Sequence, residues 1–455
     1  MSGRPLHAIA AVLAATVLVV LDASIVNVAL PTLARALDVT PGASVLVVTA
    51  YQLALVTALL PCAALGESLG FRKVFIAGVS VFTAASALCA LSPSLPWLVA
   101  ARFVQGLGGA AVMSLGVALL RQVVPDKSLG AAIGWNATAV ALASAAGPSI
   151  GALILSEWGW PCLFAVNLPV GAAVLLAGRG LPRRQGTRRR LDLVSAALNA
   201  TVFAGLVAGA DLLLTQAGVS IVLFAAAALA LLLLLRREGP KAAPLVPLDL
   251  LRGASFRISV ITSVCCFVGQ AAALLALPFL LHHDLGQTTL MTGLYMTPWP
   301  LTVAVTAQAA GWLSDRVPTA WLCGLGGVVM ALGLAGAAAS PATLGPVALA
   351  PFVVVCGLGF GLFQTPNNRS MFLIAPPERS GAAGGLQGTA RLTGQIAGAV
   401  LMTLIFTTFP LAAAPRVGLG IAAAFALAGG LISLLRSTSP PRPLGPTRKN
   451  GFASR

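Results

Sequence analysis

Three charges stand where charge is costly. Asp22, Arg102 and Arg391 each lie inside a long apolar stretch. An acid in such a setting has to be paired, protonated or in contact with water. A carboxyl that alternates among those states can carry protons, and Asp22 is the acid deepest within an apolar run; Asp211 sits near the end of its own. The other reading of Asp22 is a structural ion pair or hydrogen bond. Arg102 can pair with it, directly or through water, or snorkel toward an interface. Gln387 and Gln395 lie four residues to either side of Arg391, so the three share one helix face. That polar stripe faces a partner helix or a central cavity. In a cavity it favours anionic or neutral polar substrates over dications.

Other chemistry is sparse. The three His are His7, His282 and His283, and His282-His283-Asp284 reads as a surface loop more readily than as a metal site. The seven Cys fall in or beside apolar runs without paired metal spacing. There is no catalytic acid pair and no Walker-type phosphate loop. We therefore expect no metal, no cofactor and no enzyme activity, and ATP-driven transport within this chain is disfavoured.

The elements that carry these residues follow from composition. Of 455 residues, 58% are apolar and 9% charged, with a mean hydropathy of +0.94. A soluble domain carries about 25% charged residues. A soluble enzyme, a disordered chain and a secreted disulfide scaffold are excluded; a polytopic membrane protein is implied. In units of roughly 20 apolar residues, fourteen spans emerge: 8–32, 44–66, 74–93, 97–120, 129–155, 160–178, 193–214, 217–235, 257–280, 290–312, 320–339, 345–366, 382–408 and 416–436. All must be helical, because lipid offers backbone groups no partner.

Basic residues orient the bundle. With the N-terminus inside, only Arg35 and Arg416 of the 28 Lys and Arg fall outside, and only Arg102 and Arg391 fall within spans. Both termini are thus expected on the cytoplasmic side of the cell membrane. The net charge of +16 is a topology signal and not a nucleic-acid footprint. The first apolar run is too long for a cleavable signal peptide.

Residues 1–178 hold six spans. A segment at 179–256 holds a basic loop, two plain spans and a basic connector. Six more spans fill 257–436, and 437–455 form a cytoplasmic tail. This plan suits two repeated halves with an inserted hairpin and a substrate site between them at the midplane. Loops after the second span of each half agree: Leu65 to Lys73 (LGESLGFRK) and Gly311 to Val317 (GWLSDRV) each place an acid two residues after a Leu.

At these residues the sequence resembles the major facilitator superfamily, and most closely its fourteen-span drug:proton antiporter branch. Leu21 to Pro31 (LDASIVNVALP) is similar to that branch's first-helix motif. Arg102 to Ala110 (RFVQGLGGA) resembles the motif with the family's intramembrane arginine. Gly147, Pro148 and Gly151 resemble the antiporter motif of the fifth span. Trp158 to Gly171 and Gly359 to Asn368 also look like this branch. The loop after span 2 departs from the pattern, with Glu67 for the usual Asp, Ala63 for Gly, and Ser68 and Phe71 at basic positions; its second copy has Pro318 for Gly.

The resemblance implies an all-α bundle that exports small amphipathic compounds or antibiotics in exchange for protons by alternating access. Export of one secondary metabolite, nutrient symport and a membrane enzyme are the alternatives. Asp22 and Arg102 would couple protons. Glu67, Gly70, Arg72, Lys73, Asp315 and Arg316 would form the inner gate. Candidates for the substrate cavity are Asn27, Tyr51, Gln52, Gln105, Asn136, Asn167, Gln270, Tyr295, Trp299, Gln308, Gln364, Asn367, Asn368 and Arg391. Partners would be a small-molecule substrate, protons and lipid, and the protein would work as a monomer.

Overall fold

The computed structural model describes residues 3–124, 126–182, 192–238, 250–375 and 380–436. The tail and most of the two basic segments flanking the inserted hairpin lie outside these residues. The described chain is helical, with no strand among the described residues. The N-terminal half comprises α1 (Gly3–Ala36), α2 (Pro41–Leu69), α3 (Phe71–Ala90), α4 (Leu95–Val123), α5 (Asp126–Trp158), α6 (Pro161–Ala165) and α7 (Asn167–Ala177). The hairpin is α8 (Leu193–Asp211) and α9 (Ala217–Glu238). The C-terminal half runs through α10 (Ala254–Phe279), α11 (Thr289–Met296), α12 (Pro298–Leu313), α13 (Thr319–Ala339), α14 (Ala350–Ile374), α15 (Ser380–Thr408) and α16 (Ala414–Leu434).

Among the described residues, thirteen stretches are long and apolar enough to cross a membrane. The fourteenth expected span, 290–312, is present but interrupted at Thr297 between α11 and α12, because Pro298 and Pro300 lack the N–H groups that would bond the Leu294 and Met296 carbonyls. In the sixth span Pro169 cannot bond the Ala165 carbonyl, but Val166 keeps helical dihedrals and the span runs on through α6 and α7. The twelfth span differs from the expected 345–366. Residues 342–349 form two short 3-10 turns, and α14 continues through Pro366 to Ile374. Asn367 and Asn368 are therefore helical.

Small residues set how closely the helices approach. A Cβ on Gly108 of α4 would lie 2.5 Å from the Phe82 nitrogen of α3. In the other half, a Cβ on Gly326 of α13 would lie 2.7 Å from the Gly359 oxygen of α14. The same correspondence recurs elsewhere. Gly147 and Gly151 of α5 abut Ser24 and Ile25 of α1, and Gly394 and Gly398 of α15 abut Phe267 and Val268 of α10. Equivalent spans of the halves thus use Gly at equivalent contacts.

The halves meet along two seams. In one, α2 and α15 run antiparallel, with Gly42 against Thr403 and Leu59 against Gly388. In the other, α5 meets the broken span: Gly293 of α11 packs on the Pro148 oxygen, and Ser149 Oγ and Thr297 Oγ1 share a 2.6 Å hydrogen bond. The hairpin packs beside the first seam, where α8 touches α2 and α15. Pro61 leaves the Thr57 carbonyl without its helical donor, and Asn199 Nδ2 of α8 supplies one at 3.5 Å.

Gly108→Ala should lower stability by about 1–3 kcal/mol through overpacking of α3 on α4. Gly420→Ala, where a Cβ would meet nothing within 4 Å, should be neutral or raise stability by up to about 1 kcal/mol. Thermal unfolding in detergent measures both.

Candidate functional site

Asp22 and Arg102 meet in the N-terminal half. Arg102 Nη1 donates to Asp22 Oδ2 at 2.6 Å, and the two side chains are 1% and 0% exposed. The carboxylate's other oxygen accepts from Gln105 Nε2 at 3.0 Å and from Asn167 Nδ2 at 2.6 Å. Gln105 Oε1 accepts a second bond from Arg102 Nη1 at 2.6 Å, and Gln105 Nε2 also donates to Ser86 Oγ at 2.8 Å. Arg102 Nε donates to the Val47 carbonyl at 3.2 Å. The guanidinium stacks on the Tyr51 ring, 4.1 Å from its centroid, and lies 5.6 Å from that of Phe164. Tyr51 itself donates to the Val19 carbonyl at 3.4 Å.

The contacts come from several helices, and local structure explains how each reaches. Arg102 and Gln105 are three residues apart on α4, so they share a face. Asn167 is the first residue of α7, which packs against α1. Gly106 lets α2 approach α4, since a Cβ there would lie 2.5 Å from the Tyr51 oxygen. The result is a carboxylate held by three donors from α4 and α7, with its guanidinium partner neutralised and covered by an aromatic ring. A fully bonded ion pair of this kind tolerates burial; either member alone does not. Protonating Asp22 would remove the negative charge that Arg102 and two amides are oriented around.

The Gly147-Pro148 segment lies two residues along α1 from this cluster. Pro148 has no N–H, which leaves the Ser144 carbonyl without a helical partner. Ser24 Oγ of α1 donates to it at 3.4 Å. Gly147 and Gly151 permit the approach, and Pro148 also touches Gly293 across the seam. The motif thus connects α1, next to Asp22, with the broken span of the other half.

The expected cavity residues separate into distinct groups. Tyr51 and Gln105 belong to the Asp22 cluster, as does Asn167. Asn367 is fully enclosed, donating to the Ser259 carbonyl at 3.2 Å and accepting from Arg436 Nη2. Trp299 is 1% exposed against Gly357, with no partner for its Nε1. Asn27, Gln52 and Asn136 are half-buried, each with a buried, unpartnered side-chain oxygen. Gln270, Tyr295, Gln364 and Asn368 are half-buried, and Asn368 accepts from Gln387 at 3.2 Å. Arg391 is half-buried with an unpartnered Nε, and Gln308 is exposed.

The expected gate residues lie at the basic end of the bundle. Gly70, with a φ of 99°, makes the turn between α2 and α3. Arg72 donates to the carbonyls of Gly178 and Arg179, both at 3.3 Å, and caps the end of the sixth span. Glu67 and Lys73 are exposed. Asp315 pairs with Arg369 of α14 at 2.5 Å, and Arg316 stacks on Trp312 at 4.0 Å. The Arg72 and Asp315 contacts lie within their own halves. At the opposite end, His283 and Asp284 pair at 3.1 Å and Arg416 reaches Asp284 at 3.5 Å. The described residues contain no cluster able to hold a metal ion.

Sequence reasoning overlooked Ser86, whose apolar surroundings carry no signal, and Arg436, which reads as one more topogenic base. It also missed the tie between Ser24 and Ser144, although a mid-helix Pro is a direct sign of a carbonyl seeking a donor.

Two six-helix halves, a broken helix at their seam and a buried charged cluster define a secondary-transporter type of bundle. The chain belongs to the Major Facilitator Superfamily, whose profile matches residues 12–399. It is 44% identical to the "Uncharacterized transporter YebQ" of Escherichia coli, over 92% of this chain and 93% of that one. It is 31% identical to the "Riboflavin transporter RibZ" of Clostridioides difficile, over 82% of this chain and 81% of the relative. It is 32% identical to the "Multidrug resistance protein Stp" of Mycobacterium tuberculosis, over 84% and 72%. Its fold is similar to a crystal structure of the peptide transporter POT, with a TM-score of 0.72 at 13% identity, covering 94% of this chain and 93% of that one. The protein is a multi-pass membrane transporter.

Arg102→Ala should destabilise the protein by about 3–5 kcal/mol, because it leaves a buried carboxylate without its counter-ion. Asp22→Asn with Arg102→Gln should cost clearly less than the sum of the single changes. A double-mutant cycle on unfolding in detergent measures the coupling.

Proposed function

We propose that this transporter exports small amphipathic compounds from the cytoplasm in exchange for protons, with Asp22 as the proton site and Arg102 as the group that tunes it. One observation carries the reading: a carboxylate buried in the membrane interior is held by a neutralising guanidinium and two amide donors. Proton uptake at Asp22 would release Arg102 and the amides. That would favour a different packing of α1, α4 and α7, and alternating access needs two such packings. The tie from Ser24 to Ser144, and from α5 to the break at Thr297, offers a path by which a change on α1 reaches the other half.

Residues 1–178 and 257–436 would act as the two moving units, with the substrate between them at the midplane. Residues 179–256 would hold the hairpin against one seam, and 437–455 would be a cytoplasmic tail. Both termini would face the cytoplasm, since nearly all Lys and Arg then fall on that side. The protein would work as a monomer without a cofactor. The likeness to a multidrug resistance protein supports export of foreign compounds. The likeness to a transporter of one vitamin supports a narrow substrate range, and export of a single metabolite is the second reading.

Proteoliposomes with an imposed pH gradient test the proposal. Cationic, neutral and anionic amphipaths should be screened for substrate-triggered proton movement. Protons should move opposite to at least one substrate, and Asp22→Asn should abolish that movement while the purified variant remains folded. Substrate movement without proton movement would refute antiport.

A further inference from the structure

We propose that Arg391 is the anchor for an anionic group on the substrate, so that the site takes amphipathic acids such as carboxylates, enolates or phenolates. This rests on the reading of the seam between the halves as the substrate site, and it holds for export and uptake alike.

Arg391 lies about 17 Å along α15 from Ser380, at 1.5 Å per residue, which is near the middle of a bilayer core of about 30 Å. Its helix is a seam helix. Gly388 of α15 packs on Leu59 of α2 and Thr403 packs on Gly42, so the antiparallel register sets Gln395 level with Gln52. Gln387, Arg391 and Gln395 share one face of α15. That face is fixed at one end, where Gln387 donates to Asn368 at 3.2 Å.

What Arg391 lacks is a counter-charge. Its Nε is buried without a hydrogen-bond partner, and no ion pair involves it among the described residues. Asp22 is committed to Arg102, Gln105 and Asn167. Asp211 lines a crevice with Val400 and Thr403, two to three turns further along α15. One turn from Arg391, at the level of Gln395, Gln52 of the other half also has a buried oxygen without a donor. The contrast with Arg102 is informative: that guanidinium is fully paired, and Arg391 is not.

A lone guanidinium in the membrane interior is held at a cost unless an anion joins it. Its planar fork matches a carboxylate through two parallel hydrogen bonds. Gln52 and Gln395 would then bind polar groups beside that anion, and the apolar walls of the seam would take the rest. The arrangement selects against dications, which would face an unneutralised positive charge.

Matched probes test this: 4-phenylbutyrate, 4-phenylbutyramide and 4-phenylbutylammonium, and the same three head groups on a naphthyl ring. Binding to the full-length protein in detergent is read as a saturable rise in melting temperature, reported by a thiol-reactive dye on its free cysteines. At least one acid should stabilise the parent while its amide and ammonium counterparts do not. Arg391→Gln should weaken the acid at least about tenfold, as expected for loss of charge-assisted hydrogen bonds, and Arg391→Lys should retain part of the effect. Without ligand, Arg391→Met should melt at or above the parent, since it removes an unpaired buried charge.

Failure of both acids to bind, undiminished binding to Arg391→Gln, preference for the ammonium compounds, or a lower melting temperature for unliganded Arg391→Met would each overturn the inference. The outcome separates from that of antiport. Acids that bind through Arg391 without any proton movement in proteoliposomes would leave the inference standing and remove the antiport reading. Proton exchange driven only by cations, unchanged in Arg391→Gln, would do the reverse.

Discussion

Burying a carboxylate in the interior of a membrane bundle constrains everything around it. Asp22 is tolerated because Arg102 neutralises it and because Gln105 and Asn167 satisfy its remaining lone pairs. Those partners come from α4 and α7, and their own contacts recruit α2 and α3. The close Gly contacts between α1 and α5, and between α2 and α4, are then more than packing. They bring short polar side chains within hydrogen-bond reach in a place where water cannot substitute for them.

Prolines provide a second organising device. Each mid-helix proline frees a carbonyl, and in two cases the structure shows another helix donating to it. Ser24 of α1 serves the carbonyl freed by Pro148, and Asn199 of α8 serves the one freed by Pro61. In lipid such a carbonyl has few alternatives, so the bond also specifies which helix sits beside which. This gives the inserted hairpin a physical role as a donor and cover at one seam. Proline also breaks the tenth span at Thr297, whose hydroxyl meets Ser149 of α5 across the other seam.

The two intramembrane arginines differ in a way that matters for mechanism. Arg102 is consumed by structure, with every contact inside one half. Arg391 lies on a seam helix and retains unsatisfied hydrogen-bonding capacity. A transporter needs both kinds of polar group: one set that stabilises a packing and one left for the cargo. Tyr51 is stacked on the Arg102 guanidinium.

Hydropathy and charge are local and additive along the chain, and so the membrane class, the spans and the position of the costly charges were legible in the sequence. The close spacing of Gly147, Pro148 and Gly151 likewise marked a tight helix contact. Which polar residues meet was not legible. Asn167 and Asp22 are 145 residues apart, and their contact depends on how α1 and α7 are rotated about their axes. The same geometry moved Tyr51, Gln105 and Asn167 from the expected cavity into the charged cluster, and Asn367 into a contact with Arg436. Helix rotation is decided by small-residue contacts between distant segments, such as Gly108 with Phe82 and Gly151 with Ile25. Such contacts exist only once the bundle is assembled. The sequence alone could thus say that Asp22, Arg102 and Arg391 needed partners; only the tertiary structure decided that the first two have each other and that the third is without one.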